Sequence, residues 1–170
     1  MRFGVHAPFQ PTGETPMKVR DVMRRDVAVC RADENLAAVA ATMWKRDVGV
    51  VPVVDDRGRA VGVITDRDIA IAVGTRHRMA ADIAVEEVMS TDLASVRSEE
   101  DLDDALEQMR LRKVRRLPVL EADGTLVGIL SIDDLAATAV GSPVDLSYQE
   151  VVLLLREMRT HGMPGGVPVQ

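Results

Sequence analysis

Two short segments of this chain combine a hydroxyl, a carboxylate and the start of a predicted helix. The first is Thr65-Asp66-Arg67-Asp68, which directly follows the apolar run 60–64. A hydroxyl beside free backbone N–H groups, at the positive end of a helix dipole, can hold a phosphate. A carboxylate one turn further, at Asp68, can accept hydrogen bonds from both hydroxyls of a ribose. The spacing also fits a capping box, in which Thr65 and Asp68 stabilise the helix, and the two roles can coexist.

The second segment, Ser131-Ile132-Asp133-Asp134, repeats the first one 66 positions later. Ser131 corresponds to Thr65 (131 − 65 = 66) and Asp134 corresponds to Asp68 (134 − 68 = 66). A repeat at a constant offset indicates two copies of one structural unit. The further pairs at this offset are Gly62 with Gly128 and Val22-Met23 with Val88-Met89.

Each copy has the pattern of a strand, a helix, two strands and a second helix. In the first copy an apolar helical stripe begins at Leu36, and we expect Asp33 to cap this helix. Two apolar strands follow, 50–54 and 60–64, and the Gly-containing loop 55–58 joins them as a hairpin. A copy of roughly 55–60 residues buries too little surface to be stable alone. The sequence therefore predicts an α+β fold in which two β-α-β-β-α repeats pack with pseudo-two-fold symmetry.

The two copies divide the chain into four predicted parts. Residues 1–16 carry proline and glycine without periodicity, which is typical of a flexible arm. Residues 17–78 form the first copy and residues 79–141 form the second. Residues 142–170 contain a capping-box sequence and an apolar helical stripe, so we predict an amphipathic helix followed by a loose tail.

The composition disfavours several classes of protein. A net charge of −6 and an aromatic content of 2% disfavour a nucleic acid partner. No run reaches the ~18 apolar residues that a membrane span needs. The single Cys30 excludes an intrachain disulfide, so we expect a cytoplasmic protein without a membrane partner. The histidines are scattered and no glycine-rich P-loop occurs, so we expect neither a metal site nor an enzyme.

The repeated motifs resemble those of a tandem pair of cystathionine-β-synthase-type (CBS) domains, the Bateman module, as in small bacterial stand-alone CBS-pair proteins. They are the Val-Met near each start, the Pro-Val strand, the glycine turn, and Val-Gly followed by Thr/Ser-x-x-Asp. The resemblance implies a regulatory cleft between the halves that binds AMP, ADP or ATP, or in some relatives NAD or S-adenosylmethionine, with no further cofactor required. It implies phosphate contacts for Thr65 and Ser131, and ribose contacts for Asp68 and Asp134.

Nearby cations and apolar residues complete the predicted nucleotide site. Arg67 lies in the first turn of its helix, where the helix dipole favours an acidic residue, so it is either a contact for a docked anion or a solvated side chain. Arg115 and Arg116 resemble the basic position that the family uses for phosphates, although the first half has Gly49 and Val50 there. The candidates for the adenine slot, each of which also fits a plain core, are Val27, Ala28, Val51, Pro52, Leu93, Ala94, Leu117 and Pro118.

The two predicted clefts are not equivalent. Asp133 adds negative charge beside Asp134, so we expect the cleft built on Thr65 and Asp68 to bind its ligand better. Which cleft Arg116 reaches is left open by the sequence.

The first-half helix predicts a homodimer. Its segment 36–44 is apolar almost all round, and such a helix must be covered on every face. We expect Ala37, Ala41 and Trp44 to lie in the interface, as the helices of paired Bateman modules do. The resemblance also implies a regulated protein partner.

Two other functions are consistent with the sequence. In one, the cleft is empty or vestigial, and the protein is a dimeric interaction scaffold. In the other, the basic segment Arg110–Arg116 binds RNA or DNA, although no aromatic residues interleave with it.

Overall fold

The computed structural model describes residues 17–139, with side chains described for residues 17–136, and this span holds both repeats. The predicted arm 1–16 and the predicted helix and tail 142–170 lie outside the described residues. Within the described span, no helix is both long enough and apolar enough to pass through a bilayer.

The helices and strands repeat with the offset that the sequence shows. α2, β1 and β2 begin 66 positions before α4, β4 and β5 (102 − 36, 116 − 50 and 126 − 60), which confirms the predicted α+β repeat. The elements of the first half are α1 (Val19–Val22), α2 (Leu36–Arg46), β1 (Val50–Val54), β2 (Ala60–Thr65) and α3 (Asp66–Arg76). Two 3-10 turns, Ala80–Asp82 and Val85–Glu87, lead to β3 (Val96–Arg97), α4 (Leu102–Arg112), β4 (Arg116–Leu120), β5 (Leu126–Ser131) and α5 (Ile132–Ala139).

The long helices have well-defined ends. α2 begins after Asn35, whose Oδ1 accepts a hydrogen bond from the Ala38 N–H (2.9 Å). The prediction that Asp33 caps this helix is therefore wrong, because Asp33 lies two positions too early and its side chain is 83% exposed. α2 and α4 both end at a left-handed residue, Asp47 and Lys113, each with φ 53°. These matching ends turn the chain into β1 and β4.

Each of these helices is followed by an antiparallel hairpin. Val50 pairs with Thr65 in the first hairpin, and Arg116 pairs with Ser131 in the second. Gly58 and Gly124 occupy the loops with φ of 76° and 87°, which residues with a Cβ rarely adopt. The register places each candidate hydroxyl at the end of one strand, beside the start of its partner strand.

The first strand of each copy is shorter than the repeat pattern indicates. β3 has two residues and pairs in parallel with β4. In the first half this strand is reduced to a single parallel bridge between Cys30 and Val53. The Cys30 N–H donates to the Pro52 carbonyl (3.1 Å), and the Val54 N–H donates to the Cys30 carbonyl (2.9 Å). Because this pairing is parallel, the residues before Cys30 lie on the side of the start of β1.

Two apolar cores hold the structure, and each is completed by the leading segment of the other repeat. Val19 and Met23, from the start of the first repeat, are buried in the core of the second half. Ile83 and Val85, from the chain that leads into the second repeat, are buried in the core of the first half. Burial of apolar surface contributes roughly 25 cal/mol per Å², so each half depends on the other for part of its core.

Main-chain hydrogen bonds fix these crossings. Arg24 and Ile129 exchange both of their main-chain hydrogen bonds, each 2.9 Å long. Ser90 and Val63 do the same in the other half, again at 2.9 Å. The hairpin loops also meet, as the Ala60 N–H donates to the carbonyl of residue 124 (3.1 Å). The halves are thus joined by main-chain hydrogen bonds as well as by apolar packing.

Candidate functional site

Thr65 and Asp68 form a reciprocal hydrogen-bonded pair where β2 ends and α3 begins. The Asp68 N–H donates to Thr65 Oγ1 (3.1 Å), while the Thr65 N–H and hydroxyl both donate to Asp68 Oδ2 (3.0 and 2.6 Å). The pair is therefore the capping box that the spacing allows. These bonds use only one carboxylate oxygen. Asp68 Oδ1 accepts no hydrogen bond from any residue within 17–136.

The first three N–H groups of α3 all have acceptors. The Asp66 N–H donates to the Gly49 carbonyl (3.1 Å), the Arg67 N–H donates to Asp66 Oδ1 (2.7 Å), and the Asp68 N–H donates to Thr65 Oγ1. The expectation of free N–H groups at this helix start is therefore wrong. The Gly49 carbonyl, in the loop after α2, and the side chains of Asp66 and Thr65 already accept their hydrogen bonds. An anion would reach the Arg67 N–H only by displacing the carboxylate of Asp66.

The first-half candidates for the adenine slot divide into exposed and buried residues. Val27 and Ala28 are partly exposed and lie on the segment that runs toward the start of β1. Val51 and Pro52 are buried in β1, and Val51 is part of the apolar core. Of these four candidates, only Val27 and Ala28 have side chains exposed enough to contact a ligand.

The corresponding residues of the second half are placed in the same way. Leu93 and Ala94 are partly exposed on the segment that leads to β3. Leu117 and Pro118 are buried, and Leu117 is fully enclosed in the core of the second half. In both halves, the strand residues contribute mainly to the core.

The second hydroxyl–carboxylate pair is contacted by a guanidinium from the first repeat. Ser131 Oγ accepts a hydrogen bond from the Asp134 N–H (3.1 Å) and donates to Asp134 Oδ2. Asp134 Oδ1 accepts a hydrogen bond from Arg24 Nε (2.6 Å), and the Asp134 side chain is only 10% exposed. Ser90 occupies the position of Arg24 in the first half (90 − 24 = 66). The carboxylate oxygen that stays open in Asp68 is thus occupied in Asp134.

Sequence reasoning did not identify Arg24 as a residue of this site. The repeat does show the difference, since Val22-Met23-Arg24 aligns with Val88-Met89-Ser90. The contact could not be read from it, because Arg24 packs on β5 of the second half and meets a carboxylate 110 positions away.

The three candidate arginines occupy different surroundings. Arg67 and Arg115 are exposed, and within the described residues neither guanidinium has a partner. Arg116 is paired with Asp133 Oδ2 (3.3 Å) and lines a groove of about 910 Å³ that also includes Trp44. Arg116 therefore faces a groove to which both halves contribute.

This groove lies between α2 and α3 and differs in chemistry from the Thr65–Asp68 pair. Its lining combines apolar side chains with the charged residues Asp47, Asp66 and Asp133 against the single Arg116. Three carboxylates against one guanidinium disfavour a bound polyphosphate. Neither member of the hydroxyl–carboxylate pair lines the groove. The groove and the pair are therefore separate features of the surface.

The predicted dimer residues lie on the outer face of α2. Ala37 and Ala41 are exposed, and the Trp44 side chain is 90% exposed. The opposite face of the helix carries Leu36 and Val39, which are fully buried. The exposed apolar face is consistent with a partner surface, and its role in a homodimer stays a prediction.

Ion pairs reduce the charge of the basic segment Arg110–Arg116. Several of its guanidinium groups contact carboxylates at the surface, so the segment offers a nucleic acid fewer unpaired cations than its sequence indicates. The pairs are Arg110 with Glu107 (2.7 Å), Arg112 with Asp92 (2.5 Å) and Arg116 with Asp133 (3.3 Å).

Cys30 is buried at the bridge to β1, and its thiol stays neutral. Burial, assisted by the negative charge of Glu34, raises the pKa of Cys30 to about 12. A thiol of that pKa forms little thiolate near neutral pH and is a poor nucleophile. Over the part of the chain that the structure describes, no three His, Cys, Asp or Glu side chains are grouped closely enough to hold a metal ion.

Comparison with known protein families finds the same domain in both halves. The sequence model described as "CBS domain" matches residues 19–74 and again residues 85–141. Each match ends or begins close to the repeat boundaries given by the 66-residue offset. Together the two matches cover more than half of the chain.

Curated relatives and a solved structure agree with this finding. The CBS domain-containing protein YhcV of Bacillus subtilis is 36% identical over 124 residues, which are 73% of this chain and 86% of that protein. Uncharacterized protein MK0525 of Methanopyrus kandleri is 28% identical over 119 residues, which span 70% of this chain and 61% of that protein. The structure of CBSX2 in complex with AMP superposes with a TM-score of 0.64 at 28% identity, covering 72% of this chain and 96% of that one.

Proposed function

Because this chain belongs to the CBS-domain family, with two CBS domains in tandem, we propose that it is a regulatory module that binds an adenine nucleotide at Thr65 and Asp68. The ligand is AMP, ADP or ATP, with NAD and S-adenosylmethionine as further candidates that share the adenosine group. The AMP complex of CBSX2, which has the same fold, supports a ligand of this class.

The open oxygen of Asp68 is the observation that carries the proposal. The Thr65 N–H and hydroxyl both donate to Asp68 Oδ2, and Oδ1 accepts no hydrogen bond from the described residues. An ionised carboxylate oxygen is a strong acceptor, and vicinal ribose hydroxyls are donors of the right spacing for it. The capping bonds hold the carboxylate in one orientation, so little side-chain entropy is lost when a ribose binds.

The remaining parts of the nucleotide have more modest partners. The adenine ring lies against the aliphatic side chains of Val27 and Ala28, which are partly exposed. The phosphate is contacted by the exposed guanidinium of Arg67, because the Thr65 hydroxyl already donates its only proton to Asp68 Oδ2. Since the first N–H groups of α3 are already occupied, the ribose contact contributes more to binding than the phosphate contact. Adenosine should therefore retain much of the affinity of AMP.

A thermal-shift screen with AMP, ADP, ATP, NAD, S-adenosylmethionine and adenosine tests this function. A ligand at 100 times its dissociation constant stabilises the folded protein by about 2.7 kcal/mol and raises Tm accordingly. Calorimetry with the best ligand then compares the wild type with Asp68→Ala. We expect the substitution to weaken binding by about 1–3 kcal/mol, as for the loss of hydrogen bonds to a charged group.

Asp33→Ala is the matched control for that substitution. Its exposed carboxylate lies beyond the Cys30–Val53 bridge, at the opposite end of β1 from Thr65. Binding should be unchanged in Asp33→Ala. Equal affinity in wild type and Asp68→Ala would refute the assignment of the ribose contact, and the absence of a shift with every adenosine compound would refute the nucleotide function.

A second function is favoured by a different observation. Trp44 exposes 90% of its surface and lines the groove between α2 and α3. Exposed apolar patches of this kind commonly mark protein interaction sites. If no nucleotide binds, a homodimeric scaffold that presents this face to a protein partner is the function that remains.

A further inference from the structure

The two hydroxyl–carboxylate pairs have the same backbone but different neighbours. Arg24 is hydrogen-bonded through its main chain to Ile129, and Ser90 is hydrogen-bonded in the same way to Val63, again 66 positions apart (129 − 63). The side chains at positions 24 and 90 therefore start from equivalent places beside Asp134 and Asp68. One is a long guanidinium and the other is a short hydroxyl.

We propose that Arg24 is a built-in plug that fills the ribose position of the second half, so that each chain binds one nucleotide, at Asp68, instead of two. This inference rests on the proposed function and adds to it the number of sites and the residue that sets this number. Arg24 Nε lies 2.6 Å from Asp134 Oδ1, the oxygen that corresponds to the open oxygen of Asp68.

The electrostatics of the contact make the plug hard to displace by a sugar. The Asp134 carboxylate is 10% exposed, so it needs a partner more than a fully solvated carboxylate does. A guanidinium offers it a charge-assisted bond, whereas a ribose offers neutral hydroxyls. Arg24 itself is 70% exposed, which weakens the ion pair through solvent screening without removing it. A neutral ribose would have to replace a cation on a largely buried anion.

Reciprocal substitution of the two positions tests the plug. The measured quantity is the number of AMP molecules bound per chain in isothermal titration calorimetry. The wild type should bind one AMP per chain, and Arg24→Ser should bind two. Ser90→Arg should bind no AMP with an affinity comparable to that of the wild type. Arg25→Ser removes a neighbouring exposed arginine, for which the described residues provide no ion pair, and should bind one like the wild type.

The double variant shows which site is in use. Arg24→Ser combined with Ser90→Arg should again bind one AMP per chain, now at Asp134. Adding Asp68→Ala to this double variant should leave AMP affinity unchanged, while adding Asp134→Ala should lower it at least tenfold. In the wild-type background, Asp68→Ala should lower AMP affinity, and Asp134→Ala should leave it unchanged.

The ion pair between Arg24 and Asp134 can also be tested without any ligand, by measuring Tm. If the ion pair exists, Arg24→Ser and Asp134→Asn should each lower Tm, and the double variant should lower it by clearly less than the sum of the two shifts. Additive shifts would overturn the plug, whatever the protein binds.

The remaining outcomes separate the plug from the proposed function. Two AMP molecules per wild-type chain, or weaker AMP binding in Arg24→Ser, would overturn the plug and leave the nucleotide function standing. If no adenosine compound binds any variant and the Tm shifts are non-additive, the nucleotide function is wrong and the ion pair between Arg24 and Asp134 is confirmed.

Discussion

Asp68 and Asp134 show how much of a binding residue's behaviour is decided by its neighbours. Both carboxylates use one oxygen to cap a helix through the hydroxyl three residues earlier. The second oxygen of Asp68 accepts no hydrogen bond from the described residues, whereas the second oxygen of Asp134 accepts one from the guanidinium of Arg24. A motif read from sequence identifies the first contact, which is local. The second contact decides ligand access, and it depends on a residue from the other repeat.

Cys30 should be chemically inert in the folded protein. Its pKa of about 12 and its 2% exposure leave almost no accessible thiolate at pH 8. We expect iodoacetamide to label the native protein at least a hundredfold more slowly than the urea-unfolded protein, as measured by mass spectrometry. Labelling at comparable rates would show that the bridge to β1 opens readily.

Asp55 should contribute to stability in acid. The main-chain N–H and the guanidinium of Arg59, together with the Arg57 N–H, donate to its carboxylate and lower the pKa of Asp55 to about 2. The folded state therefore binds this proton less tightly than the unfolded state, whose pKa is near 3.9. The contribution is complete above about pH 4 and is lost as the pH falls toward 2.

The corresponding measurement is the urea midpoint of Asp55→Asn and of the wild type between pH 7 and pH 2. The difference between the two midpoints should shrink as the pH falls from about 4 to 2. A constant difference between wild type and Asp55→Asn would contradict the lowered pKa.

At the scale of the elements, β2 is held so closely to the segment after α3 that a methyl group does not fit. A Cβ at Gly62 would lie 2.6 Å from the Ser90 carbonyl oxygen and 3.3 Å from the Met89 sulfur. Because the nearest atom belongs to the backbone, the crossing segment itself would have to move. We expect Gly62→Ala to lower the free energy of unfolding by about 1–3 kcal/mol, measured by urea titration.

Gly74, within α3, is the matched control for this prediction. A Cβ there meets nothing within 4 Å, and the residue is helical. Gly74→Ala should raise the free energy of unfolding by about 0.5–1 kcal/mol, because alanine loses less conformational entropy in a helix. If both alanine variants shifted stability in the same direction, the close crossing at Gly62 would not be a real constraint.

Local elements were predictable from the sequence, and the crossing of the segments was not. The 66-residue offset, the apolar stripes and the glycine loops predict α2, both hairpins and the helices that follow them. The residue type of Asp33 predicts a cap for α2, but Asn35 has the same capping ability and lies at the correct position. Nothing local to Val19 or Ile83 indicates that each packs in the core of the other half.

At the scale of the whole molecule, the outer face of α2 should be covered by a second copy of the chain. Trp44 is the single tryptophan and is 90% exposed, so its fluorescence reports on this face alone. We expect the concentrated protein to be a dimer with blue-shifted emission, and dilution to shift the emission to the red. Light scattering after size-exclusion chromatography gives the mass.

Trp44→Glu should be monomeric at concentrations where the wild type is dimeric, because it places a charge in an apolar contact. Leu111, which is 64% exposed on α4 of the second half, provides a comparison, and Leu111→Glu should leave the wild-type mass unchanged if α2 is the interface. If the wild type is monomeric at every concentration, the dimer prediction is wrong, and Trp44 remains exposed for contact with a different protein.

The exchange of leading segments has a consequence for the origin of the molecule. A single ancestral unit with this layout could complete its core only by receiving the leading segment of another chain. Such a unit would exist as an interlocked pair of identical polypeptides, and fusion of two gene copies would convert the pair into one continuous chain. Once joined, the copies could diverge at single positions such as 24 and 90, which two identical polypeptides could never do.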